Sequence, residues 1–206
     1  MAPNHETSER VYAMMKGDLL SGALSTEIQI GALAERYAAS ITPVREALLR
    51  MVGERLVLMK PTGGFAISRL SEAHIRDLYD LNLQLTLLAM AWRSDSVRAD
   101  ISPLPDESTL DPPVDLLFRA IARRTGNLSF LALIESMNDQ MQRIRHAEER
   151  ELKGLHDEFV ALEVLVRHGT RPILARAVRK YHLRRMRISA DIARRIRLDD
   201  TRPPKR

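Results

Sequence analysis

Ser40-Ile41-Thr42-Pro43-Val44-Arg45-Glu46-Ala47-Leu48 is the stretch on which the fold turns. Thr42 is a good N-cap, and Pro43 suits the first helical position because its missing N–H had no partner there. The spacing predicts a helix from that point, with Val44, Ala47, Leu48 and Met51 on its inner face. Upstream, Val11, Met14, Met15 and Leu19 recur at helical spacing from Glu9 to Leu20, and Ser21-Gly22 stops that helix. A short helix fits Gln29 to Tyr37, with Ile30, Leu33 and Tyr37 inward. Downstream, Leu56-Val57-Leu58-Met59 and Phe65-Ala66-Ile67 flank the turn Pro61-Thr62-Gly63-Gly64, which reads as a β-hairpin. Three short helices followed by a hairpin make a winged helix-turn-helix over residues 1–70.

From Ser71 to the end, residues 71–206, the pattern is helical, an antiparallel all-α bundle. Leu78, Leu81, Leu85, Leu88 and Trp92 alternate by threes and fours, a heptad-like seam on a long helix. Prolines at 103, 105, 112 and 113 make residues 94–113 a loop. Further helices are expected from Val114 to Arg124, from Leu128 to about Ala147, through Leu155, Phe159, Leu162 and Val166, and from near Pro172 through Ala177, Tyr181, Ile188 and Ile192. Phe130, Ile134, Met137, Met141 and Ile144 form the inner face of the second of these. The fold class is therefore mainly α, with one small hairpin.

Composition narrows the function. The chain has 206 residues, 45% apolar and 29% charged, which supports a buried core and argues against disorder. Aromatic residues at 4% speak against a β-sandwich or barrel. There is no cysteine, hence no disulfide framework and no thiolate chemistry. No run approaches the roughly 18 to 20 apolar residues of a membrane span, so the expectation is a cytoplasmic protein with no membrane partner. Net charge is 32 − 27 = +5, unevenly spread. Residues 1–70 hold 8 basic and 7 acidic side chains, residues 71–170 hold 11 and 17, and residues 171–206 hold 13 and 3. The acidic middle is no nucleic-acid surface as a whole. The six histidines form no His-Glu-x-x-His run, and neither a Gly-x-Ser-x-Gly elbow nor a phosphate-cradling glycine loop occurs. An enzyme is not expected.

The nonapeptide at Ser40, with Leu33-Ala34-Glu35 before it and the hairpin after it, resembles the signature of the GntR family of bacterial transcription regulators. Ser71 to Tyr79 and Gly126-Asn127 resemble parts of the FadR-type effector domain. The resemblance implies a dimer that binds a pseudo-palindromic stretch of double-stranded DNA and responds to a small-molecule effector, such as an organic acid. It implies DNA contacts from Ser40, Thr42, Pro43, Arg45 and Arg50 on the recognition helix, and from Lys60, Thr62, Gly63 and Gly64 on the wing. A helix in the major groove brings its N-terminal residues to base edges, so Arg45 suits guanine and Arg50, further along, suits phosphate. Three positions depart from the family pattern: Ile41, Gly63 and Gly31 stand where members place arginines. A helical interaction protein whose DNA head has decayed therefore stays open as the alternative.

Many FadR-type domains hold a divalent metal with an Asp, a His four residues on, and two later His. By resemblance Asp115, Arg119, His156 and His182 occupy this region, with Arg119 in place of the first His. Three readings compete. Asp115 and Arg119 form a surface pair beside two unrelated histidines; Arg119 grips an organic acid in a metal-free pocket; or a metal site survives without its full ligand set.

Overall fold

A computed structural model describes residues 3–24, 26–92 and 113–200. The chain divides into two units, one of residues up to Leu70 together with those from Ile196, the other Ser71–Arg195.

In the first unit, α1 (Pro3–Leu20) packs on α3 (Ile41–Gly53), and α2 (Ile30–Arg36) joins α3 through a tight turn. Val11, Met15, Leu19, Val44, Leu48 and Met51 are all but fully buried at the centre. Met14, expected inward, is exposed; Tyr12 lies on the buried side and donates its hydroxyl hydrogen to Glu54 at 2.5 Å. α3 starts two residues earlier than predicted, at Ile41, with Ser40 rather than Thr42 as N-cap and Pro43 in the third helical position. Proline is tolerated there because the first turn of any helix has N–H groups without intrahelical acceptors. The sheet has three strands rather than two, in the order β1 (Glu27–Ile28), β3 (Phe65–Ile67), β2 (Val57–Met59), all antiparallel. Ala66 faces Glu27 on one side and Leu58 on the other. A two-residue edge strand leaves no periodicity to read, which is why β1 escapes the sequence pattern.

The second unit is built from α4 (Glu72–Ala91), α5 (Pro113–Arg123), α6 (Leu128–Glu151), α7 (Leu155–His168) and α8 (Arg171–Arg187), with α9 (Ser189–Asp200) following. Ser71 caps α4 by accepting from the His74 amide, and Asn127 caps α6 by accepting from that of Phe130. The expected inner face of α6 is buried at all five positions. That of α4 is not. Ile75, Leu78, Tyr79, Asn82, Leu83, Thr86 and Ala89 are buried, while Leu81, Leu88 and Trp92 remain 45%, 47% and 40% exposed. Gly169 ends α7 without a left-handed turn; a Cβ there would lie 2.6 Å from the Leu165 carbonyl oxygen. The last helix expected from sequence is two helices, α8 and α9, separated at Ile188, where the Ile188 amide donates to the Arg185 carbonyl. The predicted loop at 94–113 lies, apart from residue 113, outside the described residues. None of the described helices is long and apolar enough to cross a membrane.

Candidate functional site

α3 buries one side against α1 and leaves the other to solvent. Its exposed residues are Ile41, Thr42, Arg45, Glu46, Leu49 and Arg50. Helical spacing sets Ile41, Arg45 and Leu49 in one outward row, i, i+4 and i+8. Arg45 has no hydrogen bond or ion pair among the described residues, so its guanidinium is available. Ser40, at the cap, is exposed and its side chain makes no hydrogen bond to its own helix, which leaves the hydroxyl available beside the positive end of the helix. Glu46 is engaged, accepting from Ser8 of α1 at 2.6 Å.

Arg50 is not brought together with Arg45. It turns towards α1, 2.9 Å from Glu9 and 3.6 Å from Glu54, with its guanidinium carbon 3.6 Å from the Tyr12 ring centre. Glu54 in turn takes Lys16 at 3.0 Å, so these five side chains lock α1 onto α3. These contacts hold the Arg50 side chain against α1 while leaving it 48% exposed. On the wing, the Gly63 amide donates to the Lys60 carbonyl at 2.9 Å, and the Lys60 amide to the Gly64 carbonyl at 3.0 Å. Gly63 and Gly64 have φ of +89° and +83°, a region a side chain resists, so glycine is what the turn requires. Lys60 and Thr62 stand exposed around it, and Lys60 is without a side-chain partner among the described residues.

Inside the second unit lies a buried polar cluster. Asp115 pairs with Arg145, and Asn138 donates to the Asp115 carbonyl at 3.2 Å while accepting from Arg145 at 3.3 Å. His182 is fully buried among the rings of Tyr79, Phe118 and Tyr181, with centroids 5.0 to 6.4 Å away. Burial pushes its pKa down to about 3, with Arg145 and Arg185 adding repulsion, so the imidazole is neutral. A neutral ring has one N–H. Nδ1 lies 2.8 Å from the Val178 carbonyl and Nε2 2.8 Å from the Asn82 amide. Both contacts are satisfied when Nδ1–H donates to Val178 and the amide turns its NH2 end to Nε2, which also gives Asn82 Nδ2 its partner. Beyond it, Arg185 donates to Glu148 at 2.6 Å and pairs with Glu158 at 2.9 Å. Arg119 and His156 are elsewhere. Arg119 is 41% exposed and pairs with Glu135 of α6 at 2.7 Å, and His156 is exposed on the first turn of α7.

Residues 7–67 match the sequence profile of bacterial regulatory proteins, gntR family. They form a GntR-family helix-turn-helix domain. The chain is 32% identical over 101 residues to the HTH-type transcriptional repressor GlaR of Escherichia coli, covering 46% of each protein, so it spans about half the length of that relative. It is 27% identical over 168 residues to the HTH-type transcriptional regulator McbR of the same organism, covering 69% of this chain and 75% of McbR. Among solved structures, E. coli McbR/YncC superposes with a TM-score of 0.64 at 21% identity, covering 90% of this chain and 97% of that one. A GntR regulator from Rhodococcus sp. RHA1 gives 0.69 at 15%, covering 90% and 96%. The fold over about 90% of the chain is thus one found in solved GntR regulators.

With the GntR head assigned, the remaining question in the bundle is the divalent metal that a FadR-type domain implies. The residues present do not fit it. Asp115 is paired with Arg145, His182 Nε2 faces an amide, His156 is remote, and no group of three His, Asp or Glu among the described residues converges on a point. A guanidinium beside the carboxylate repels a cation. Sequence reading missed Arg145 and Asn138. The signal was there: Asn138 follows Ile134 by four and Arg145 follows Met141 by four, polar residues on an otherwise apolar row of α6.

Proposed function

We propose that this chain is a DNA-binding transcription regulator of the GntR type, whose heads read a pseudo-palindromic operator as a homodimer. The observation that carries the reading is the GntR head itself, with Arg45 free at the N-terminal half of an exposed recognition helix and a glycine wing beside it. Arg45 takes the base contact, a bidentate pair to guanine N7 and O6. Ser40, Thr42 and the helix N-terminus take phosphate, and Lys60, Thr62, Gly63 and Gly64 lie along the neighbouring backbone. Pro43 packs into the core from the first turn of α3 rather than touching DNA, since it is buried.

The exposed apolar residues of α4, Leu81, Leu88 and Trp92, support a second copy packing on that face. A two-fold dimer supplies the paired heads that inverted half-sites need. The buried cluster supports an effector role for the bundle. Tyr79 Oη and Arg145 Nε have no hydrogen-bond partner among the described residues, and Arg145 is a buried cation suited to a carboxylate. In this reading the effector is a small organic anion held by Arg145, with Asp115 and His182 alongside, and not by Arg119 or His156.

Selection of bound duplexes from a randomised DNA pool tests the function. The expected result is an enriched sequence with two inverted half-sites, bound with a salt dependence of roughly 0.9 in log–log slope per phosphate neutralised. A pool that returns no sequence, or binding that vanishes at 50 mM salt, would favour a helical interaction protein.

A further inference from the structure

The outward row of the recognition helix is Ile41, Arg45, Leu49: one cation between two aliphatic side chains. Ile41 is the first residue of α3 and is 54% exposed, although four other aliphatic residues of the same helix reach the core. It sits one turn before Arg45 on the same face, and no charged side chain precedes it in the helix. Two further arginines of this unit are turned away from that face's role. Arg36 pairs with Asp18 at 2.6 Å and Arg50 with Glu9 at 2.9 Å. The side chain that leads this row at the start of α3 is therefore an uncharged aliphatic one, between the hydroxyls of Ser40 and Thr42.

An aliphatic side chain carries no hydrogen bond for a base edge. The major groove offers it one apolar feature, the C5-methyl group of thymine. We propose that Ile41 is a specificity-determining residue, and that it selects thymine in each half-site through contact with the 5-methyl group. The base it reads lies next to the guanine read by Arg45, because the two side chains are about 6 Å apart along the helix axis, four residues at 1.5 Å each. Each half-site then has one position chosen by a hydrogen-bonding pair and one chosen by a methyl contact. Cytosine and both purines at the second position leave Ile41 against polar atoms. 5-Methylcytosine restores the methyl group without thymine's O4, and so separates methyl recognition from any other preference.

This inference rests on the DNA-binding reading, and the test keeps the two apart. Duplexes selected by the full-length protein are remade with deoxyuridine in place of each thymine in turn, and with 5-methylcytosine at the same positions. Binding is followed by fluorescence anisotropy. One thymine per half-site is expected to lose about 3- to 5-fold in affinity as deoxyuridine, near the value of one buried methyl group, and to be partly replaced by 5-methylcytosine. Ile41→Ala is expected to bind the thymine and deoxyuridine duplexes equally. Leu49→Ala, equally aliphatic but two turns further from the helix start, keeps the wild-type difference and controls for folding. Tight sequence-specific binding with no thymine sensitive to loss of its methyl would overturn the inference while leaving the DNA-binding reading intact. So would an Ile41→Ala protein with the wild-type deoxyuridine effect. Failure to select any sequence would remove both.

Discussion

At the scale of single residues, two arginines on one helix have different fates, and the difference is set by what lies across from them. Arg45 meets no acid among the described residues; Arg50 meets Glu9, Glu54 and the Tyr12 ring. Arg50→Ala is expected to lower the stability of the head by about 0.5–1 kcal/mol, a modest loss because the side chain is half exposed. Its affinity for selected DNA should stay within about twofold. Urea unfolding and anisotropy measure the two effects, and a salt slope reduced by about one unit would return Arg50 to a phosphate. This distinction was not legible in the sequence. Glu9 lies 41 residues from Arg50, and no periodicity links them. Asp115 and His182 were legible as residues of interest, yet their partners Arg145 and Asn82 lie 30 and 100 positions away and emerge only when the helices pack.

At the scale of elements, helices with a continuous buried row were readable and short or edge elements were not. α6 buries Phe130, Ile134, Met137, Met141 and Ile144 as its periodicity demands. α4 has apolar residues on more than one face, so a heptad count picked a seam that is partly solvent-facing, while polar Asn82 and Thr86 went inside. The Thr86 hydroxyl is satisfied by the Asn82 carbonyl at 2.7 Å, which is how a helix can bury it cheaply. The break between α8 and α9 has no glycine or proline to announce it. One helix carries a correctable weakness. Gly17 sits inside α1, exposed, with nothing within 4 Å of where a Cβ would be. Gly17→Ala should stabilise the head by about 0.5–1 kcal/mol through helix propensity. No change in the urea midpoint would mean that α1 is not helical there in solution.

At the scale of the whole molecule, assembly, acid stability and DNA reading can each be measured. Leu88→Asp puts a charge in the exposed stripe of α4, and light scattering should move from twice 23.4 kDa towards 23.4 kDa at micromolar concentration. A wild-type mass of one chain would remove the dimer. His182 gives the bundle an acid-side slope. Its folded pKa is about 3 and that of the unfolded chain near 6.5. The unfolded state therefore binds the proton first, and stability present above pH 6.5 is lost as pH falls towards 3, by up to about 1.4 kcal/mol per unit. The lone tryptophan, Trp92, reports this unit by fluorescence. His182→Gln should flatten the slope between pH 6 and 4, and taking the difference between the two proteins cancels what other acids of the cluster contribute. Identical slopes would mean that His182 is charged or exposed. The central claim is that Arg45, on the exposed face of α3, reads a base, and one titration tests it most directly: wild type and Arg45→Ala against the selected duplex and a scrambled duplex of equal length. The account predicts a loss of about 5- to 150-fold on the selected duplex, the 1–3 kcal/mol of a bidentate pair, and a much smaller loss on the scrambled one. Equal losses on both would contradict it, leaving Arg45 a phosphate contact rather than a base reader.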